Sequence, residues 1–170
     1  MALSALSGDE QSLLFVQLCN VLDPGIAVAL SSVNNELRTA TRAPLQQLKT
    51  GHEAAAALCR KLGMSCKALR EAKKVSVRNK FFTVNELKLL GTLGSVLPAL
   101  EELYLREPEA GPDGMQQLAE RLGAGALPAV TKLIIYTTHV GDAGASALAA
   151  ALGQGALPRL KSLLLHDATR

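Results

Sequence analysis

Tryptophan is absent from this chain, and its 170 residues include only three Phe and two Tyr. Aromatic rings therefore cannot be the main filling of a core. Cysteine is also scarce. Cys19, Cys59 and Cys66 are too few for a closed disulfide framework and lack zinc-ligand spacing, which points to thiols in a reducing compartment. No apolar run approaches the roughly 18 residues of a membrane span. The opening Met1–Glu10 has no basic segment followed by a long apolar one, so no secretory signal is expected and the cytoplasm or nucleus is the expected location. A disordered chain is excluded by composition, with 48% hydrophobic and 19% charged residues. What fills the space is 32 Leu and 26 Ala, a third of the molecule. A core built from so few residue types points to repetitive packing.

The repeat is visible in the last hundred residues. Leu97-Pro98-Ala-Leu100-Glu-Glu-Leu103-Tyr-Leu105 returns as Leu127-Pro128-Ala-Val130-Thr-Lys-Leu133-Ile-Ile135, then as Leu157-Pro158-Arg-Leu160-Lys-Ser-Leu163-Leu-Leu165. The step from Leu97 to Leu127 equals the step from Leu127 to Leu157, with no gaps. Gly111, Gly114, Leu118, Leu122, Gly123 and Gly125 likewise recur as Gly141, Gly144, Leu148, Leu152, Gly153 and Gly155. A weaker copy, Ala72-Lys-Lys-Val75-Ser-Val77, lies upstream at a slightly shorter step, with Val75 and Val77 in the places of Leu103 and Leu105.

Each unit reads as strand, loop, helix, loop. The Leu-x-Leu core alternates with period two, as a half-buried strand does. Ala145, Leu148 and Leu152 fall on one helical face. Asp113 and Asp142 are candidate N-caps. Thr83-Val-Asn-Glu86 is a capping-box pattern for a helix through about Leu93. The Gly-rich tails after Leu122 and Leu152 suit helix ends that need positive φ.

This pattern resembles the leucine-rich repeat family, in particular the ribonuclease-inhibitor-like type, over about residues 72–170. The resemblance implies an α/β solenoid, with parallel strands on the concave side and helices on the convex side, in three strand–helix units plus a terminal strand. It departs from the family at the position that usually holds Asn or Cys, occupied here by Lys80, Pro108, Thr138 and Ala168.

Residues 8–71 do not follow the period and read as an all-helical module. Ser7-Gly-Asp-Glu10 is a capping-box pattern opening a first helix through Leu22. Asp23-Pro24 supplies an N-cap and an N1 proline for a second helix, through Ile26, Leu30, Val33 and Leu37. Pro44 marks a break. Thr50-Gly-His-Glu53 caps a third helix, Ala54 to Leu62, closed by Gly63. A short fourth helix runs from Cys66 to Ala72.

The first two helices resemble an F-box in Leu14-Phe15, Leu18, Val21-Leu22-Asp23-Pro24, Leu30 and Val33, although Gln11 and Leu37 depart from its Pro and Trp. That resemblance implies a substrate-recruiting subunit of a ubiquitin ligase, docking the adaptor through Leu14, Phe15, Leu18, Leu22 and Pro24. The alternative is a helix pair that caps the first repeat, since a solenoid needs its ends shielded.

Little in the chain reads as catalytic. His52, His139 and His166 lie in different units without metal-ligand spacing. Cys59 and Cys66 form no Cys-x-x-Cys motif and have no companion His, so buried thiols are expected. Gly123-Ala-Gly125 and Gly153-Gln-Gly155 follow helices and lack the Lys of a phosphate loop. No enzyme activity, cofactor or metal is expected. Charge is segregated. Residues 60–80 carry eight basic residues against Glu71, and residues 101–120 six acidic residues against Arg106. Such a basic band binds nucleic acid, acidic lipid or an acidic protein surface, or is simply a solvated junction. Nucleic acid is disfavoured, because no aromatics interleave with the basic residues.

Residues between and beside the strand leucines face the concave side and stack into ladders. The ladders are Lys74, Glu102, Lys132, Ser162; then Ser76, Tyr104, Ile134, Leu164; then Arg78, Arg106, Tyr136, His166. Glu102 is expected to pair with Lys74 and Lys132. Tyr104, Ile134 and Leu164 are expected to form an exposed apolar stripe, a mark of an interaction site. A protein-binding face made of Glu102, Tyr104, Arg106, Lys132, Ile134, Tyr136, Leu164 and His166 is the expected function, with the terminal strand edge at residues 160–168 as a second contact. Two alternatives stand beside it: the ligase subunit, and a structural subunit of a larger assembly.

Overall fold

The computed structural model describes residues 7, 9–10, 20–33, 35–77, 82–106, 110–137 and 140–167. The chain divides into two compact units, Met1–Ala57 and Leu58–Arg170. No described helix is long and apolar enough to cross a membrane.

The first unit is helical. At its start the Ser7 and Glu10 capping box is formed, with Glu10 Oε2 accepting the Ser7 N–H at 2.8 Å and Ser7 Oγ accepting the Glu10 N–H at 3.4 Å. Helix α1 spans Gly25–Ser31 and α2 spans Asn35–Ala40. Asp23 Oδ1 accepts the Gly25 N–H at 3.4 Å, but Pro24 stands one residue ahead of the helix rather than inside it. The single helix expected through Leu37 is interrupted after Ser31. The Ser31 and Ser32 hydroxyls donate back to the Val28 and Ala29 carbonyls, at 2.9 and 2.7 Å. Serine side chains that compete in this way for helical carbonyls weaken a helix. Ala27 and Leu48 form one buried apolar cluster here, flanked by the partly buried Val21, Leu30 and Leu45.

Helix α3 spans Arg42–Leu62 without interruption, which corrects two expectations. Pro44 does not break the chain. It is the third residue of the helix, where a missing N–H leaves no intrahelical bond unmade. Thr50 caps nothing, because it lies mid-helix and its hydroxyl donates to the Gln46 carbonyl at 3.2 Å. The expected end is observed, with Gly63 at φ 78°.

In the second unit α4 spans Cys66–Glu71, and Ser65 Oγ caps it by accepting the Ala68 N–H at 3.1 Å. Four parallel strands follow: β1 (Lys74–Val77), β2 (Glu102–Arg106), β3 (Lys132–Thr137) and β4 (Ser162–Asp167), adjacent in chain order. Helices α5 (Val84–Leu93), α6 (Gly111–Arg121) and α7 (Gly141–Gly153) connect them, with α5 packed on α6 and α6 on α7. The α/β class expected from the repeat is therefore observed. Strand alternation works as expected in β1 to β3, where Val75, Val77, Leu103, Leu105, Leu133 and Ile135 are buried.

Backbone hydrogen bonds repeat with the sequence period. The Lys73 carbonyl accepts the N–H groups of Glu101 and Glu102, that of Glu101 accepts Thr131 and Lys132, and that of Thr131 accepts Lys161 and Ser162. The capping box of α5 is present, with the Glu86 N–H on Thr83 Oγ1 and the Thr83 N–H on Glu86 Oε2. Lys61 Nζ reaches the same carboxylate at 2.7 Å.

The caps expected at Asp113 and Asp142 are not formed. Helices α6 and α7 begin earlier, at Gly111 (φ 53°) and Gly141 (φ 67°), because glycine takes the left-handed turn there at no steric cost. Both aspartates sit in the first turn, where their charge still favours the helix dipole. The Gly-rich tails do use positive φ, at Gly125 (74°) and Gly155 (88°). Two further residues were not foreseen: Leu127 (φ 52°) and Leu157 (φ 49°) are also left-handed. Each is 2% exposed and donates its N–H to the preceding unit, Leu127 to Gly94 and Leu157 to Ala126, both at 2.9 Å. Burial and these bonds hold a conformation that a branched residue avoids.

Candidate functional site

The strand register reproduces the ladders read from the repeat spacing. Lys74 pairs with Glu102, Glu102 with Lys132, and Lys132 with Ser162. Ser76, Tyr104, Ile134 and Leu164 align, as do Arg106, Tyr136 and His166. Arg78 lies outside the described residues. All eight candidate residues thus share one sheet face, opposite the buried leucines.

At one end of this face charge and ring are interlocked. Lys74 Nζ stands 3.2 Å from Glu102 Oε2, which also accepts the Tyr104 hydroxyl at 2.9 Å. The Lys74 ammonium lies 4.4 Å from the Tyr104 ring centroid, and that of Lys132 lies 5.9 Å from it. The Tyr104 hydroxyl, then the Lys74 ammonium, hold the Glu102 carboxyl below its ordinary value. The hydrogen bond to Glu102 holds Lys74 above its own. The expected pairing of Glu102 is therefore direct with Lys74, while Lys132 acts on it only at longer range.

At the other end the rings of Tyr136 and His166 stack, with centroids 5.1 Å apart and planes 9° from parallel. The two residues stand one repeat apart, so the period held the signal for this contact. Between the two ends a cleft of about 290 Å³ is lined by Ser76, Tyr104, Arg106 and Tyr136. Arg106 and His166 are exposed, and Glu102, Tyr104 and Lys132 are half-buried.

The apolar stripe needs correcting. Leu164 is 40% exposed, but Ile134 is only 4% exposed. Ile134 sits centrally on an inner strand. Tyr104 and Leu164 flank it across strands about 4.8 Å away, and Lys132 and Tyr136 flank it along the strand. With neighbours on all four sides it is enclosed, so it supports the face from beneath. Beyond it, Leu163 and Leu165 on β4 are 37% and 42% exposed.

Elsewhere the chemistry is limited. Among the described residues no cluster of three or more His, Cys, Asp or Glu could hold a metal. His52 Nδ1 lies 2.7 Å from the Val21 carbonyl, tying two segments of the first unit together. Burial, then the hydrogen bond with Cys66, pushes the Cys59 thiol far above its ordinary value, so it stays protonated and a weak nucleophile. Of the residues expected to dock an adaptor, Leu22 is buried and Pro24 half-buried, while Leu14, Phe15 and Leu18 lie outside the described residues. The chain matches no family model, no curated protein and no solved structure.

Proposed function

We propose that the chain is a non-enzymatic binding module of leucine-rich-repeat type, which holds a protein partner on the strand face of residues 74–166. The observation that carries this reading is the ordered surface of Tyr104, Arg106, Tyr136, Leu164 and His166 around a cleft. Rings with polar edges and an exposed arginine are the residue types that partner surfaces favour. A sheet that adds one strand per repeat, in chain order, supports the solenoid assignment. The outer side of β4, the last described strand, with its three exposed leucines, supplies a second contact. The free thiols Cys59 and Cys66 favour a reducing compartment, cytoplasm or nucleus.

The test is capture of the native complex with the tagged chain, followed by substitution. Tyr136→Asp and Leu164→Asp change exposed side chains, so both should weaken partner binding, and circular dichroism checks that each variant is folded. Unaltered affinity in both variants would remove this reading. Ile134→Asp would be a poor probe, because it buries a charge. For the ligase-subunit alternative, two of the five anchor residues are described, Leu22 buried and Pro24 half-buried, and recovery of a ligase component with the tagged chain is its test.

A further inference from the structure

We propose that the partner segment seated on this face is an acidic peptide, and that one of its carboxylates enters the cleft against Arg106. The proposal rests on the protein-binding reading and names the chemistry of the partner. The described charged side chains of the face are Lys74, Arg106 and Lys132 against Glu102, three cations to one anion, a balance of +2. The one carboxylate is already committed, to Lys74 at 3.2 Å and to the Tyr104 hydroxyl at 2.9 Å. Among the described residues no carboxylate lies within ion-pairing distance of Arg106.

The cleft beside Arg106 is built for an acceptor. Its available donors are the Arg106 guanidinium, which can only donate, and the hydroxyls of Ser76 and Tyr136, since the Tyr104 hydroxyl already donates to Glu102. At about 290 Å³ it is at the small end for ligand pockets and suits one side chain with its aliphatic stem against the rings. Its walls are held in advance. Lys74 and Glu102 fix Tyr104, and the His166 ring fixes Tyr136, so little side-chain freedom remains to be lost on binding. A planar guanidinium pairs with a carboxylate through two parallel hydrogen bonds.

The rings argue against a nucleic acid strand. One face of Tyr104 is taken by Lys74 and one face of Tyr136 by His166, whereas base stacking needs open platforms.

The experiment titrates the full chain into fluorescein-labelled octaglutamate and reads anisotropy. Saturable binding is expected, weakening as salt is raised. Arg106→Ala should lower the affinity about tenfold, the loss of one charge-assisted pair. Arg121→Ala removes an equal charge from the exposed surface of α6 and should leave the affinity unchanged. Circular dichroism checks that each variant is folded. No saturable binding would overturn the proposal. So would an equal loss in both variants, which would mean diffuse charge attraction, or tighter binding of a labelled oligouridylate, which would make the face a nucleic acid site. If octaglutamate fails while Tyr136→Asp still releases the native partner, the acidic specificity falls and the binding reading stands.

Discussion

Strands β3 and β4 carry nearly the same apolar pattern, Leu133-Ile-Ile135 and Leu163-Leu-Leu165, one repeat apart. In β3 the three residues are 2%, 4% and 0% exposed, and in β4 they are 37%, 40% and 42% exposed. Both strands belong to one sheet in the same register. The difference lies in the neighbours. β3 has a strand on each side, and the helices α6 and α7 flank it in the chain. β4 has a strand on one side only, and no described helix follows it. Leucine spacing therefore marks where a core can form, and the next unit decides whether it does.

Truncation should expose this contrast most strongly. Ile135→Ala leaves a cavity in a closed core and should cost about 2–5 kcal/mol. Leu165→Ala, at the equivalent position of β4, should cost about 1 kcal/mol or less. Urea unfolding of the two variants measures both, and equal losses would mean that β4 is covered in solution. Two helical glycines sharpen the same point. A Cβ at Gly91 would come within 2.6 Å of the Leu118 carbonyl oxygen, where α5 meets α6, while one at Gly153 meets nothing within 4 Å. Gly91→Ala should destabilise by about 1–3 kcal/mol through overpacking. Gly153→Ala should stabilise by about 0.5 kcal/mol through reduced chain entropy. Thermal melts with opposite shifts are the expected result.

Smaller effects belong to the cap of α5. Thr83→Ala removes one side of the capping box and should cost about 1 kcal/mol. Glu86 should give the last, pH-dependent signal. Partial burial raises its carboxyl, but the hydrogen bonds from Lys61 and Thr83, with the Lys61 charge, outweigh this and hold it below its ordinary value of 4.5. The unfolded chain therefore takes up the proton first as pH falls. The stability from this group is full above the unfolded value and is lost as pH drops through the lower native one. In Glu86→Gln that part of the acid-side loss should disappear from denaturant midpoints measured across the window.

The two units also differ in how readily they could be read. In the second, a fixed period located strands and register, because equivalent residues stack in equivalent places, and a capping-box motif located the α5 cap. Its misreadings concern local backbone: Gly111 and Gly141 start their helices before the aspartates, and Leu127 and Leu157 take a left-handed turn that Leu rarely adopts alone. In the first unit no repeat was present to arbitrate. Signals at Pro44 and Thr50 that suit a helix end were absorbed into α3, since proline fits a first turn and a threonine hydroxyl can bond back to its own helix. For the site, the ladders were legible and the exposure of Ile134 was not. The adjacency of Tyr136 and His166 was legible from the period, but the stacking of their rings and the closing of Tyr104 by Lys74 were not.

Spacing was enough for the register between neighbouring strands and the side of the sheet each residue takes, while their parallel order was expected from the family resemblance. A repeat of fixed length leaves one register, and a period of two leaves one choice of face. Exposure and contact were decided only in three dimensions. Ile134 and Leu164 occupy equivalent positions, yet one has described strands on both sides and is buried, and the other has a described strand on one side only and is exposed. Burial is set by what stands next to a residue, and the chain brings that neighbour from a full repeat away.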